Sequence, residues 1–475
     1  MPETPVLDAA RHLAGLQCEL RLWLELHEPG TADPALSAER REGARARAEL
    51  RALAAPLLAG AERDHVFRAP GLEARVDFLV RDSDGALGLR AVRAALRPNE
   101  SHLDELAFVR AVAVRAGVAL GSAAVLHLDS QFTRGAETPD PRALLRHSDV
   151  SKDVEFLARD LAKRIESQQR VLAMPERPAV EPSPHCRRPQ TCSFWKRCSA
   201  GRARDWIGHL PGLRPQTHAA LQEAGVATIG GVPEDFPVTP AQRNARAALA
   251  GDRAVVTPAL ARALEELGPA PDYLDFEAIL PEVPLFPGTH PLEPVPFQWS
   301  AHLSAEDGTL LHREYLAEDG SDPRRRVVET LIEALGGRQT RIAVYSSFEA
   351  ETLELLAKAF PEHASALDAL RARLFDLLPV LRRSVYHPAF LGSFSLKRVA
   401  PVLAPGFRFD DLVGIADGGA AARGWHRLAR GELDADARSR VLSELRRYCA
   451  RDTLALAELV RALRGLARDA THSSE

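Results

Sequence analysis

Apolar residues follow two different spacings along the chain, and together these predict a mixed α/β protein. Recurrence every three to four residues is typical of a helix with one buried face, whereas short apolar or alternating runs are typical of strands. The helical spacing covers the segments 4–27, 38–59, 102–116, 151–173, 346–360, 363–383 and 434–467. The strand patterns cover the segments 65–67, 74–80, 87–94, 123–128, 272–280 and 341–345.

The order of these elements predicts three domains. Residues 1–205 combine helices and strands in a way that predicts an α/β domain on a mixed sheet, and residues 267–475 carry a second α/β pattern. Between them, residues 206–266 predict a small helical module. The Leu-Pro-Gly-Leu run at 210–213 has the rhythm of a helix-hairpin-helix unit, and a plain helical linker is the alternative.

The composition supports several domains and limits how the protein can contact its partners. The chain has 475 residues, 45% of them hydrophobic, which is enough for two or three domains with their own cores. The formal net charge is -4, so a contact with nucleic acid would need local basic patches. No apolar run approaches membrane-spanning length and the N-terminus lacks a signal-peptide pattern. We therefore expect a cytoplasmic protein with no membrane partner.

Two acids interrupt the strand predicted at 272–280. Side chains of a strand alternate between its faces, so Asp275 and Glu277 share one face, about 7 Å apart along the chain, and Leu274 and Phe276 share the other. Two carboxylates held side by side repel each other and are well suited to a divalent cation. The alternative is an edge strand with one solvated face.

A further acid follows the strand predicted at 341–345. Glu349 lies in a Tyr-Ser-Ser-Phe-Glu run where this strand passes into a helix, and α/β sheets build sites at the C-terminal ends of their strands. The alternative is local: Ser346 and Glu349 have the spacing of a capping box at a helix start.

The last predicted helix carries an acid on its apolar face. Asp452 falls inside a stripe of leucines, one turn after Tyr448, so the two side chains can reach one region. A buried carboxylate is costly unless it is paired or binds a metal, and a core aspartate satisfied by hydrogen bonds is the alternative. Cys449, on the same face, is interpreted as packing.

Three cysteines stand at equal spacing in Cys186-x5-Cys192-x5-Cys198. Thiolates bind soft metals, and four are the usual complement of a cubane iron–sulfur cluster or a structural zinc. Zinc sites favour closer pairs, so the spacing predicts a [4Fe-4S] cluster with Cys18 as the fourth ligand. Zinc remains the alternative metal, His185 is a possible substitute ligand, and buried cysteines without a metal are the other alternative.

The Gln-Cys-x4-Trp-Leu run that includes Cys18, together with the later cysteine trio, resembles the RecB/AddB-type nucleases over residues 8–200. The resemblance implies a PD-(D/E)xK nuclease core, in which Asp77 matches the metal-binding aspartate. Ala91 and Arg93 stand where the family has its glutamate and lysine, and Val109 stands in place of a glutamine. Arg cannot act as a base and one aspartate holds Mg²⁺ poorly. We expect a catalytically inactive domain that serves as a DNA-binding scaffold.

The acids of the C-terminal half resemble the three motifs of the DEDDy 3′→5′ exonucleases, which have a ribonuclease-H-like fold. Asp275 and Glu277 match the first motif, and Tyr448 with Asp452 matches the third. Glu349 matches the second motif, where most of that superfamily has aspartate. More closely, the Asp275-Phe276-Glu277 run, the segments 296–302 and 392–397, and Tyr448-Cys449-x2-Asp452-Thr453 resemble an uncharacterised bacterial family that joins a RecB-like half to such a domain. This resemblance covers nearly the whole chain.

This resemblance implies a two-metal exonuclease that uses Mg²⁺ or Mn²⁺ and acts on ends of single-stranded DNA. The metal ligands would be Asp275, Glu277, Glu349 and Asp452, and Tyr448 would orient the attacking water. The alternative is a non-catalytic nucleic-acid-binding subunit of a repair or defence complex.

Three residues outside these motifs are candidates for supporting roles. Lys397 and Arg398 are candidate phosphate contacts, with a solvated loop as the alternative. Asp376 is a candidate support for the acidic site, and a helix-start cap is equally compatible with its position.

Overall fold

The computed structural model describes residues 5–410, 412 and 414–472, with side chains up to residue 470. The contacts divide the chain into two compact units. The N-terminal unit comprises Met1–Gly201 and Pro281–Glu293, and the C-terminal unit comprises Arg202–Leu280 and Pro294–Glu475. Both units combine helices with a five-stranded sheet, which confirms the predicted α/β class. The predicted helical module at 206–266 falls within the C-terminal unit.

A mixed sheet with the strands in sequence order forms the centre of the N-terminal unit. β3 and β4 are parallel, and the other neighbouring strands are antiparallel. Side chains alternate between the two faces as the strand period requires, because Ala91 packs in one apolar cluster and Val92 in another. The strands are β1 (Glu62–Ala69), β2 (Leu72–Arg81), β3 (Leu87–Arg93), β4 (Leu120–Leu128) and β5 (Leu145–Asp149).

Helices cover both faces of this sheet. One apolar cluster includes residues of α2, α4 and α7, and the other includes residues of α3. The described helices are α1 (Ala9–Gln17), α2 (Glu19–His27), α3 (Pro34–Ala54), α4 (Glu100–Arg115), α5 (Pro141–Leu144), α6 (Ser151–Ala158), α7 (Leu161–Leu172) and α8 (Trp195–Ser199).

Two helices predicted as continuous are interrupted. The segment predicted at 4–27 is broken at Cys18, whose backbone is extended with φ -167° and ψ 128°. The segment predicted at 151–173 is divided into α6 and α7. The apolar spacing continues across both breaks, so periodicity alone could not locate them.

The C-terminal unit has a second sheet with the strand order β11-β10-β7-β8-β9. The central strand, β7, is parallel to β10 and antiparallel to β8. β6 and β12 form a separate two-stranded pair. The strands are β6 (Val255–Val256), β7 (Asp272–Ile279), β8 (Val295–Ser304), β9 (Leu310–Leu316), β10 (Ile342–Val344), β11 (Leu374–Asp376) and β12 (Val385–Tyr386).

Ten described helices belong to this unit, and helices pack on both faces of its sheet. Leu274 and Phe276 pack with α12, α13 and α14, as the alternation of strand residues predicts. The helices are α9 (Pro215–Glu223), α10 (Pro240–Ala250), α11 (Ala259–Leu267), α12 (Arg324–Leu335), α13 (Phe348–Ala359), α14 (Ala364–Arg373), α15 (Leu377–Ser384), α16 (Leu396–Leu403), α17 (Gly418–Ala429) and α18 (Ala435–His472).

Two local predictions in this unit differ from the structure. The segment predicted as helical at 363–383 contains β11, because Leu374–Asp376 pairs with Ile342–Val344 in parallel register. The run at 210–213 joins a 3-10 turn, Ile207–His209, to α9. It therefore does not connect two α-helices, as the loop of a helix-hairpin-helix unit would.

The long helix α18 packs against β7 and β8 with its apolar stripe. Leu456, Leu459 and Leu463 are buried in the same cluster as Tyr273 of β7. Near the middle of the helix, the Thr453 hydroxyl lies 2.8 Å from Nδ1 of His302 on β8. These contacts direct the face of α18 that carries Asp452 toward the acid-bearing face of β7.

None of the helices in the described part of the chain combines the length and apolar character needed to cross a membrane.

Candidate metal centre

β7 presents its two acids on the face covered by α18. One oxygen from each of Asp275 and Glu277 and the sulfur of Cys449 all lie within 4.8 Å of one another. The two carboxylates therefore share one face, as the strand spacing predicts. Glu277 is 7% exposed and Asp275 is partly buried, so the pair is largely shielded from water.

α18 brings three more polar side chains to this pair. The Tyr448 hydroxyl donates a hydrogen bond to the Asp452 carboxylate, as expected for residues one turn apart. Oδ1 of Asp452 is buried and has no hydrogen-bond partner among the described residues. Cys449, interpreted from sequence as packing, donates a weak hydrogen bond to Oδ2 of Asp275 across 3.6 Å.

The acids raise one another's pKa. Burial raises the pKa of Asp275 well above its ordinary value, and the charges of Glu277, Asp452 and Glu349 add to this effect. Burial, together with Asp452, raises the pKa of Glu277 to about 8. Burial also raises the pKa of Asp452, although Lys397 opposes it. The charged form of the group is thus unfavourable until positive charge is supplied.

Glu349 lies just beyond the C-terminal end of β10, in the first turn of α13. Burial raises its pKa to about 7, and a hydrogen bond of 3.1 Å from the Ser346 hydroxyl opposes the rise. The predicted capping box is incomplete, because Ser347 is the N-cap residue and makes no side-chain cap. Asp376 accepts a hydrogen bond from the backbone N–H of Leu378 at 2.9 Å, which caps α15. Asp376 also contributes to the raised pKa of Glu349, so it faces the site as well.

Lys397 lies inside the site, whereas Arg398 is exposed on α16. The Lys397 amine donates to the Tyr448 hydroxyl at 3.0 Å and lies 4.3 Å from the centre of its ring. It also donates to the backbone carbonyl of Ala416. Its charge lowers the pKa values of Glu277 and Asp452, which places a cation beside both acids.

The donor set fits divalent cations. Carboxylate oxygens are the ligands preferred by Mg²⁺ and Mn²⁺. Asp275, Glu277, Glu349 and Asp452 contribute four formal negative charges against the single charge of Lys397. The unpartnered Oδ1 of Asp452 is an acceptor that a cation would satisfy. These four carboxylates could hold the metal ions, with Asp275 central because the other three all influence its pKa.

The four predicted cluster cysteines also converge, in the N-terminal unit. Cys18 lies at the junction of α1 and α2, and Cys186 lies in a 3-10 turn. Burial raises the pKa of Cys186 to about 11, with smaller contributions from Cys18, Cys192 and Cys198. His185 Nε2 lies 3.4 Å from the Cys186 sulfur. The fold therefore brings Cys18 to the cysteine trio, as the sequence predicts.

The spacing of these sulfurs is wide. Among the described residues, which include all four cysteines, no three of the sulfurs lie within 4.8 Å of one another. Sulfurs at about 2.3 Å from one tetrahedral zinc are about 3.8 Å apart. The donor set suits soft metals, and no three of its sulfurs are as close as one zinc ion requires.

Gln17 fastens α1 to the segment that carries the cysteine trio. Its Nε2 atom donates to the backbone carbonyls of His185, Arg188 and Gln190 at 3.0, 2.9 and 2.8 Å. The residue immediately before Cys18 thus holds the segment that carries Cys186.

A second group of acids, Asp77 and Glu105 in the N-terminal unit, is neutralised by arginines. Asp77 is 3% exposed, and it pairs with Arg93 at 2.8 Å and with Arg47 at 3.1 Å. The same two arginines pair with Glu105 of α4 at 2.7 and 3.2 Å. Burial opposes ionisation of Asp77, but Arg93 and Arg47 outweigh it and lower the pKa of this carboxyl. Ala91 lies in the core and supplies no ligand.

A cavity of about 590 Å³ adjoins this arginine–acid cluster. Its lining includes four arginines and two glutamates: Arg21, Arg40, Arg47, Arg93, Glu39 and Glu105. Each of these arginines pairs with an acid, Arg21 and Arg40 with Glu25, and Arg47 and Arg93 with Asp77 and Glu105.

Residues 272–395 match the model of a family described as a domain of unknown function, DUF2779. The match covers Asp275, Glu277 and Glu349 and ends before Tyr448 and Asp452. No curated protein matches the chain. Among solved structures, the chain is similar to the crystal structure of SSO0001, with 13% identity and a TM-score of 0.27, over 43% of this chain and 90% of that one.

Proposed function

We propose that the C-terminal unit is a divalent-metal-dependent nuclease, a 3′→5′ exonuclease that acts on ends of single-stranded DNA. The observation that carries the proposal is the pair of acids Asp275 and Glu277 on one face of β7, beside Asp452 of α18, whose buried Oδ1 has no partner among the described residues. Glu349 faces the same group from the end of β10. This arrangement supports the resemblance to DEDDy exonucleases, whose three motifs supply acids from equivalent sequence positions.

Two bound Mg²⁺ or Mn²⁺ ions would lower the pKa of a water molecule and stabilise the leaving 3′-oxygen of an in-line displacement. Asp275, Glu277, Glu349 and Asp452 would hold these ions. The raised pKa values of these acids support this role, because they arise mainly from burial, and for Asp275 and Glu277 also from neighbouring acids, and a bound cation favours the charged carboxylates.

Tyr448 would orient the attacking water by a hydrogen bond. Burial, and then the neighbouring acids, raise the pKa of its hydroxyl, so Tyr448 stays neutral and does not act as the base. Lys397 donates to the same oxygen at 3.0 Å, which fixes the direction of the hydroxyl. The Lys397 charge also lies beside the acids, where it could contact a phosphate of the substrate.

The N-terminal unit would serve as a DNA-binding platform, in which a [4Fe-4S] cluster links Cys18 to the segment that carries the cysteine trio. The wide spacing of Cys18, Cys186, Cys192 and Cys198 supports a cluster over a single zinc ion. Arg93 and Arg47 pair with Asp77, the acid that matches the metal-binding aspartate of the family, which supports an inactive domain.

The test is release of nucleotides from single-stranded oligonucleotides labelled at the 3′ or the 5′ end, with Mg²⁺ or Mn²⁺. We expect Asp275→Ala and Asp452→Ala to abolish release. Asp436→Ala is the matched control, because Asp436 is an exposed acid on the same helix as Asp452. Equal rates for wild type and both site variants would refute the proposal. Binding without turnover under either ion would favour a non-catalytic nucleic-acid-binding subunit.

A further inference from the structure

A buried thiol belongs to the acidic site. The Cys449 side chain is 0% exposed, and its sulfur lies 3.6 Å from Oδ2 of Asp275. The sulfur and one oxygen from each of Asp275 and Glu277 are mutually within 4.8 Å. Cys449 is also one turn from Asp452 on the same face of α18. Its sulfur therefore belongs to the group of possible metal donors.

The separation of sulfur and oxygen matches shared coordination of one ion. A thiolate at about 2.3 Å and a carboxylate oxygen at about 2.1 Å from one zinc ion, at a tetrahedral angle, are about 3.6 Å apart. The Cys449 sulfur and Asp275 Oδ2 have this separation.

A second observation, on the neighbouring Asp452, also points to a cation site. Oδ1 of Asp452, a side chain that is 8% exposed, has no hydrogen-bond partner among the described residues. Buried carboxylate oxygens are normally hydrogen-bonded or bound to metal. Lys397, the cation that lies beside Asp452, donates its hydrogen bonds to Tyr448 and to the carbonyl of Ala416.

We infer that Asp275, Glu277 and Cys449 form a three-ligand site for a thiophilic divalent cation of the Zn²⁺ class, with Asp452 available as a fourth ligand. On binding, a metal–sulfur bond forms and the thiol proton is released to solvent. Mg²⁺ takes oxygen ligands and leaves the thiol unused, so the two classes of cation compete for Asp275. Cys449 thereby sets the cation preference of the proposed nuclease site. The inference rests on that site and is independent of its activity.

Cobalt absorption tests the inference directly. The full-length protein is titrated with Co²⁺, and a sulfur-to-cobalt charge-transfer band is recorded for wild type and Cys449→Ser. Serine retains the size and a hydrogen bond to Asp275, but it offers a hard oxygen. The cysteines of the N-terminal unit contribute equally to both spectra, so the difference isolates Cys449. We expect the sulfur-to-cobalt band to appear in the difference between the wild-type and Cys449→Ser spectra. We expect Asp275→Asn to lose this band as well.

Zinc affinity gives an independent measure. Loss of a residue that supports the ligands without binding the metal weakens metal affinity by roughly tenfold or more. We expect Cys449→Ser to weaken Zn²⁺ binding in calorimetry by more than roughly tenfold and to leave Mg²⁺ binding little changed. Thermal melting of Cys449→Ser and Cys449→Ala checks that both variants fold.

The outcomes separate this inference from the proposed function. Identical cobalt spectra for wild type and folded Cys449→Ser would overturn the inference and leave a carboxylate-only nuclease intact. A sulfur–cobalt difference band in a protein without nuclease activity would support the inference and refute the proposed function.

Discussion

The Nζ atom of Lys397 lies 3.0 Å from the hydroxyl oxygen of Tyr448, a residue on a different helix and 51 positions later in the chain. The Tyr448 hydroxyl accepts a hydrogen bond from Lys397 and donates one to Asp452, and these two partners fix its orientation. This contact makes Lys397 a positioning residue for Tyr448 in the proposed nuclease.

Replacing Lys397 is therefore expected to affect turnover more than substrate binding. Lys397→Met retains the length of the side chain but removes its charge and its hydrogen-bond donor. We expect kcat to fall roughly 100-fold, as it does when other preorganised donors are removed, and KM to change little. Arg398→Met is the control, because Arg398 is an exposed cation on the same helix. Steady-state kinetics on a labelled oligonucleotide measures both parameters. A rise in KM at constant kcat would instead assign Lys397 to binding of substrate phosphate.

The raised pKa of Glu277 predicts how stability depends on pH when no metal is bound. Below about pH 4.5, the ordinary value, the carboxyl is protonated in both the folded and the unfolded chain. Between this value and about 8, the folded state keeps the proton while the unfolded state loses it. The unfolded state then binds fewer protons, so the free energy of unfolding falls as pH rises through this window.

Melting of the chelator-treated protein between pH 5 and pH 8, in otherwise equal buffers, measures this effect. We expect Glu277→Gln to flatten the dependence on pH, since the amide does not titrate. Glu306→Gln, at an exposed position between β8 and β9, should leave the slope as it is in wild type. Added Mn²⁺ should raise the melting temperature more at the higher pH, because the metal competes with protons for the acids. A wild-type slope of the opposite sign would contradict the assignment.

The sequence predicts the acidic site well where one repeating geometry determines it. The period of a strand places Asp275 and Glu277 on one face, and the helical repeat places Tyr448 and Asp452 together. Both relationships are local, so they need no knowledge of the fold. The convergence of β7 and α18 required the resemblance to a known family, because nothing in either segment alone specifies the other.

Such sequence patterns do not identify three features of the structure, namely the roles of Cys449 and Glu105 and the strand β11. A thiol within a leucine stripe has the same pattern whether it packs or faces an acid. Glu105 meets Asp77 through two arginines, one of them from α3, which is a tertiary relationship. β11 has three residues, too few for a period to be recognised, and it exists because β10 offers an edge.

Gln17 is predicted to control how firmly the cysteine segment is held. Gln17→Glu retains the shape of the side chain but replaces an amide that donates to three backbone carbonyls with acceptor oxygens. Two of these hydrogen bonds are exposed and one is part-buried, so the loss of each costs about 0.5–1.5 kcal/mol. We expect lower iron and sulfide content in the purified variant and faster proteolysis between residues 186 and 198. Gln190→Glu is the control, because the exposed Gln190 takes part in this contact through its backbone carbonyl. Equal iron content in Gln17→Glu and wild type would contradict this role.

Arg93 is predicted to be essential for the stability of the N-terminal unit, because it neutralises two acids at once. Its guanidinium is 2.8 Å from Asp77 and 2.7 Å from Glu105, and the side chain is 6% exposed. Arg93→Met leaves buried carboxylates short of a partner, which typically costs about 3–5 kcal/mol. Arg68→Met removes an exposed pairing with Glu73 and should cost about 1 kcal/mol or less. Denaturant unfolding of both variants measures the difference. Similar losses for the two would mean that Arg47 and Arg51 compensate the acids without Arg93. A gain of metal binding in Arg93→Met would mean that the arginine occupies a site that can still bind a cation.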